Sequence, residues 1–125
     1  MTAAPGPVFV VDDEESVRMS LGKLLRALGV ASLVFPSAES FLAGYDSTGS
    51  GCLLLDLRMP GMSGLDLIEE LERRQSGLPV IVMTGHTDAK AVRRLEAFKT
   101  LGFLEKPFSV EQLKTVLDEW SGVSH

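Results

Sequence analysis

The chain has 125 residues, 45% hydrophobic and 23% charged, the balance of one globular domain that can bury a core without covalent staples. Twelve basic against seventeen acidic residues leave a net charge of −5, which argues against nucleic acid as the main ligand, since phosphate binding needs clustered Lys and Arg. The single cysteine excludes an internal disulfide, no run approaches the roughly 20 apolar residues of a membrane span, and no charged-then-apolar leader opens the chain.

The expectation is therefore a single cytoplasmic domain over 1–125, with its core at about 7–121 and no membrane partner. Val8 to Val11 is a short β-branched and aromatic run that ends abruptly in Asp12, Asp13, Glu14 and Glu15. Beyond it Val17, Leu21, Leu24, Leu25 and Leu28 share one helical face, and Gly29 stops that helix. Val30 to Phe35 reads as a second strand closed by Pro36, after which Ser37 caps a short helix through Phe41 and Leu42. A Gly/Ser turn over 47–51 leads into a third strand, Cys52 to Leu55. Within that apolar run Cys52 reads as a buried, inert thiol.

The third strand ends at Asp56, and a loop over 57–63 follows. Ser63 and Asp66 form a Ser-x-x-Asp cap for a third helix that turns Leu65, Ile68 and Leu71 inward. Pro79 precedes a fourth strand, Val80 to Met83, ending at Thr84. A fourth helix starts near Asp88 with Val92 and Leu95. Phe103 and Leu104 mark a fifth strand ending at Lys106-Pro107. Ser109 and Gln112 box the start of a last helix whose Leu113, Val116, Leu117 and Trp120 recur at helical spacing.

Alternating strands and helices imply a parallel sheet covered on both faces, because parallel neighbours need crossover connections. Continuous apolar strands suit burial on both sides, and ligands of such sheets sit at the carboxyl ends of the strands. Four of the five expected strands deliver a polar group there: Asp12 and Asp13, Asp56, Thr84, and Lys106. The strand ending at Phe35-Pro36 delivers none, as befits the rim.

Taken singly these residues mean little. An acidic pair after a strand is ordinarily a solvated helix start, an aspartate at a strand end is ordinarily a turn residue, and a lone threonine or lysine carries no signal. Their joint placement reverses that reading. Three clustered carboxylates repel, so one protonates or a cation neutralises them, and Mg²⁺ suits a site with few protein carboxylates. An aspartate nucleophile beside a divalent cation, a lysine and a hydroxyl is the equipment of an acyl-phosphate site.

The runs Val10-Val11-Asp12-Asp13-Glu14, Leu54 to Gly64 (LLDLRMPGMSG), Met83-Thr84-Gly85-His86 and Phe103-Leu104-Glu105-Lys106-Pro107-Phe108 resemble the receiver domain of two-component response regulators. The resemblance extends from Val8 to about Trp120. It implies a flavodoxin-like (βα)5 fold, a five-stranded parallel sheet in the order 2-1-3-4-5 with helices on both faces. It also implies phosphorylation of Asp56 by a sensor histidine kinase, and Mg²⁺ held by Asp12, Asp13, Asp56 and the backbone carbonyl of Arg58. Thr84, the Gly85 amide and Lys106 would contact the phosphoryl group, and the Lys106-Pro107 bond would be cis. Such a domain is a signalling switch rather than a metabolic enzyme, its own chemistry limited to self-phosphorylation and self-dephosphorylation.

Thr84 and Phe103 match the family's switch pair, although Phe103 also reads as an ordinary core aromatic. Arg58 and His86 occupy positions that tune hydrolysis of the acyl phosphate, and His86 reads equally as a surface histidine without a role. Among subfamilies the motifs are similar to FixJ-type (LuxR-class) regulators, whose DNA-binding effector would be absent from this chain, either removed or never present. Family members signal or dimerise through the fourth helix, fifth strand and fifth helix. The segment Phe98-Lys99-Thr100-Leu101 departs from the small residues usual before the fifth strand, with Phe98 either at an interface or packed into the core.

Two other classes fit less well. A haloacid-dehalogenase-type phosphatase carries a second acid two residues after its nucleophile, where this chain has Arg58. A flavodoxin-type nucleotide domain needs a glycine- or hydroxyl-rich phosphate loop after the first strand, where this chain has four acids.

Overall fold

The computed structural model describes residues 6–45, 50–85, 89–96, 98 and 102–122. Strands and helices alternate: β1 (Val8–Val11), α1 (Glu15–Ala27), β2 (Ser32–Phe35), α2 (Ala38–Gly44), β3 (Cys52–Asp56), α3 (Gly64–Arg73), β4 (Val80–Thr84), α4 (Ala89–Leu95), β5 (Gly102–Glu105) and α5 (Val110–Gly122). The five strands form one parallel sheet in the order β2-β1-β3-β4-β5.

Strand alternation divides the core in two. Phe9, Val11, Leu53, Leu55, Val80 and Val82 face α2, α3 and Leu95 of α4. Val8, Val10, Cys52, Leu54, Ile81, Met83 and Leu104 face α1 and α5. Both faces are thus occupied, so β1, β3 and β4 are buried at every position, which is why those strands read as unbroken apolar runs. β2 lies at the rim and leaves Leu33 and Val34 exposed.

The helix ends follow local rules. Ser37, Ser63 and Ser109 each accept a hydrogen bond from the amide three residues on, while Ser40, Asp66 and Gln112 reach back to the cap amide, satisfying donors that a helix start leaves open. Gly29 stops α1 as expected, but in a way that shortens the strand after it. Gly29 takes φ +77°, its amide donates to Arg26 O, and the Val30 amide donates to Leu25 O. This Schellman closure absorbs Val30 into the helix end, so β2 begins at Ser32 rather than at Val30.

Phe98 is half-buried against the core cluster under α2 and α3, in keeping with the packed alternative. The expected start of α4 near Asp88 lies outside the described residues, as do Lys99, Thr100 and Leu101.

Candidate functional site

The sheet register assembles the site. Val11 pairs with Leu55, so one step further Asp12 lies level with Asp56. Asp56 pairs with Met83 and Thr84 with Glu105, which sets Lys106 immediately beyond β5. The Lys106 amide donates to Thr84 O at 2.7 Å, fixing that crossing, and the Lys106-Pro107 bond is cis.

Carboxylate oxygens of Asp12, Asp13 and Asp56 lie within 4.8 Å of one another. Their exposures differ: Asp12 is fully buried, Asp56 is 6% exposed, and Asp13 faces solvent. The burial of Asp12 separates it from an ordinary solvated helix start. α1 instead begins at Glu15 with Glu14 as its cap, which uses no side-chain hydrogen bond. Asp12 Oδ1 accepts the Glu14 amide at 2.9 Å. The Arg18 guanidinium donates from Nη1 to the Asp12 carbonyl at 2.9 Å, and the Asp12 amide donates to Phe35 O at 3.2 Å.

Lys106 Nζ is shared, 3.0 Å from Asp12 Oδ2 and 3.4 Å from Asp56 Oδ1. Asp56 Oδ1 also accepts the Arg58 amide at 3.3 Å. One lysine among three acids leaves the cluster short of positive charge. Burial first, and the field of Asp12 second, push the Asp56 carboxyl up to about 6, against the opposing pull of Lys106 and the Arg58 amide. Desolvation works against the charge of Lys106, but its hydrogen bond to Asp12 and the fields of Asp56 and Asp12 outweigh it and hold the ammonium above its ordinary value.

Thr84 is buried at the end of β4, and Gly85 follows it. Phe103 points outward, 43% exposed on β5, so it is not the core aromatic that one reading of the sequence allowed. His86 lies outside the described residues. Cys52 is fully buried away from this edge, its thiol pushed up to about 12 by burial.

Two contributors escaped sequence reasoning. Arg18 of α1 clamps the carbonyl of Asp12, six residues back and outside the helix, a contact that helical spacing does not signal. Glu39 in the first turn of α2 accepts the Met62 amide at 3.1 Å, a contact across 23 residues that no local pattern signals.

Buried carboxylates, an oxygen-only donor set and one shared lysine can hold a hard divalent cation. A parallel sheet presents them together at its carboxyl edge, which makes that edge a candidate cation site. The chain matches the family model for the response regulator receiver domain over residues 8–118. It belongs to that family, whose members work with histidine kinases in two-component signalling.

It is 34% identical over 113 residues to the transcriptional regulatory protein FixJ of Bradyrhizobium diazoefficiens, covering 90% of this chain and 55% of that protein. It is 46% identical over 105 residues to the C4-dicarboxylate transport transcriptional regulatory protein DctR of Rhodobacter capsulatus, covering 82% and 53%. The crystal structure of FixJ-N superposes with a TM-score of 0.86 at 39% identity, covering 98% of this chain and 96% of that one. The chain spans about half the length of the curated relatives it matches. Among the described residues no helix is long and apolar enough to cross a membrane.

Proposed function

We propose that this receiver domain, with its core at about 7–121, is a Mg²⁺-dependent phosphorylation switch that takes a phosphoryl group from a sensor histidine kinase onto Asp56. The observation that carries the reading is the placement of Lys106 Nζ between Asp12 and Asp56, with Asp13 completing the acidic cluster. In this reading Asp12, Asp13, Asp56 and the backbone carbonyl of Arg58 hold the ion. Three carboxylates whose oxygens lie within 4.8 Å of one another, with Lys106 shared between two of them, are donors that fit a hard dication. When bound, Mg²⁺ neutralises these acids and the charge spread over the phosphoryl oxygens.

The remaining chemistry belongs to the chain. An ionised Asp56 oxygen attacks phosphorus in line; the P–N bond to the kinase imidazole breaks, its electron pair staying on nitrogen, and an acyl-phosphate P–O bond forms. Lys106, already held against Asp56, pairs with a phosphoryl oxygen, while the Thr84 hydroxyl and the Gly85 amide donate to the others. Water later attacks the phosphorus, releasing free phosphate and returning Asp56 as carboxylate, at a rate that Arg58 and His86 tune in this reading.

Movement of the Thr84 hydroxyl toward the phosphoryl group vacates space for Phe103, whose ring is outward here. That exchange would reshape the α4-β5-α5 face, on which phosphorylated copies dimerise or meet an effector. FixJ and DctR are by name transcriptional regulators, and the match covers 55% and 53% of their lengths. The effector is accordingly a transcriptional one in the cytoplasm, and this domain itself does not bind nucleic acid.

The test is incubation with acetyl phosphate and Mg²⁺, read by intact mass on the wild type and Asp56→Asn. The reading expects one added phosphoryl group, dependent on Mg²⁺ and absent from the variant. No addition to the wild type would overturn it.

A further inference from the structure

The loop over 57–63, between β3 and α3, carries Arg58, whose amide donates to Asp56 Oδ1 at 3.3 Å. Its base is fastened to the sheet. The Leu57 amide donates to Met83 O at 3.4 Å, and the Gly64 amide donates to Leu57 O at 3.1 Å. A Cβ on Gly64 would lie 2.5 Å from Asp56 O, so the loop returns directly onto the acceptor's own backbone.

At the apex Gly61 takes φ +73°, a conformation that suits glycine. There the Met62 amide donates to Glu39 Oε2 at 3.1 Å. The carboxylate lies close enough that a Cβ on Gly61 would come 2.9 Å from Oε2. Glu39 projects from a well-anchored base. Ala38 and Phe41 are fully buried in the core, and Ser37 and Ser40 cap the helix reciprocally.

We infer that Glu39 is a positioning residue for the acceptor loop: its carboxylate holds the apex so that Arg58 presents its amide to Asp56 and its carbonyl to the metal. The inference deepens the proposed function and rests on it. A loop bound at base and apex enters the metal-bound state already ordered, whereas one released at the apex must be ordered on binding, at a cost to affinity.

Glu39 also sits in the first turn of α2, where a negative charge favours the helix dipole. The two roles separate by substitution. Glu39→Gln removes the charge but keeps an oxygen acceptor of the same reach, while Glu39→Ala removes both.

The experiment titrates MgCl₂ by calorimetry into the wild type, Glu39→Ala and Glu39→Gln. It also measures phosphoryl uptake from acetyl phosphate at saturating Mg²⁺ and urea unfolding without metal. Glu39→Ala is expected to bind Mg²⁺ about fivefold more weakly, the net worth of one solvent-exposed hydrogen bond. Glu39→Gln is expected to restore binding to within about twofold of the wild type, and the two variants are expected to unfold at similar urea concentrations. Glu39→Ala binding as tightly as the wild type would overturn the inference, as would Glu39→Gln binding as weakly as Glu39→Ala. In both outcomes an active wild type leaves the proposed function standing. A wild type that neither binds Mg²⁺ nor takes up phosphoryl removes the proposed function and the inference with it.

Discussion

Lys106 lies nearer to Asp12 than to Asp56, 3.0 Å against 3.4 Å, and Asp12 is the more deeply buried of the two acids. The lysine therefore compensates the carboxylate that water cannot reach, while remaining within a short movement of the acceptor. Replacing Lys106 with Met should strand Asp12 in the interior. Removing one partner of a buried pair costs about 3–5 kcal/mol, and the partial exposure of Lys106 should bring that to about 2 kcal/mol. Urea unfolding in EDTA would measure this loss, and added Mg²⁺ should stabilise Lys106→Met more than it stabilises the wild type.

The elevated carboxyl of Asp56 sets a pH dependence whose sign is fixed. Its folded value of about 6 exceeds the ordinary 3.8, so the stability it contributes is complete below about pH 4 and is lost as pH rises through about 6. Lys106, also raised, contributes stability that is lost only in the alkaline range and leaves this window unchanged. Metal-free wild type should therefore lose stability relative to Asp56→Asn between pH 4.5 and 7.5, by about 1 kcal/mol after allowance for solvent screening. Paired urea titrations at the two pH values would check it, and a constant difference would contradict the assignment.

Gly64 admits no side chain. A Cβ there would meet Asp56 O at 2.5 Å and Leu57 Cα at 2.8 Å, both backbone atoms that cannot rotate away. Gly64→Ala should destabilise the fold by about 2 kcal/mol, visible as a lowered Tm. It should also slow phosphoryl uptake at saturating Mg²⁺, because the displaced atoms are those of the acceptor itself.

Cys52 should be inert in the folded protein. It is fully buried in β3 and its thiol is pushed up to about 12, so almost no thiolate is available to react. A colourimetric disulfide reagent should leave it untouched under native conditions and modify it fully in urea.

Much of this site was legible before the fold, for a topological reason. In a parallel sheet every strand ends at the same edge, so a polar residue closing an apolar run has a known destination. Asp12, Asp13, Asp56, Thr84 and Lys106 all follow that rule. The partner of Lys106 was not legible, because it depends on how far each side chain reaches across β1, β3 and β4. Val30 read as strand from its branching, yet a closure involving Gly29 and Leu25 claimed its amide. Arg18 and Glu39 act on backbone atoms of loops 6 and 23 residues away, contacts that composition and periodicity do not encode. The outward ring of Phe103 was not legible either, since the sequence allowed a core position equally.

The proposed switch carries its phosphoryl group on Asp56 and on neither neighbouring aspartate. Borohydride trapping of the acetyl phosphate-treated protein, which reduces an acyl phosphate to an alcohol, followed by peptide mass mapping, would locate it. Reduction confined to residue 56 and abolished by EDTA is the predicted result; reduction at Asp12 or Asp13, or none in the wild type with Mg²⁺ present, would contradict the account.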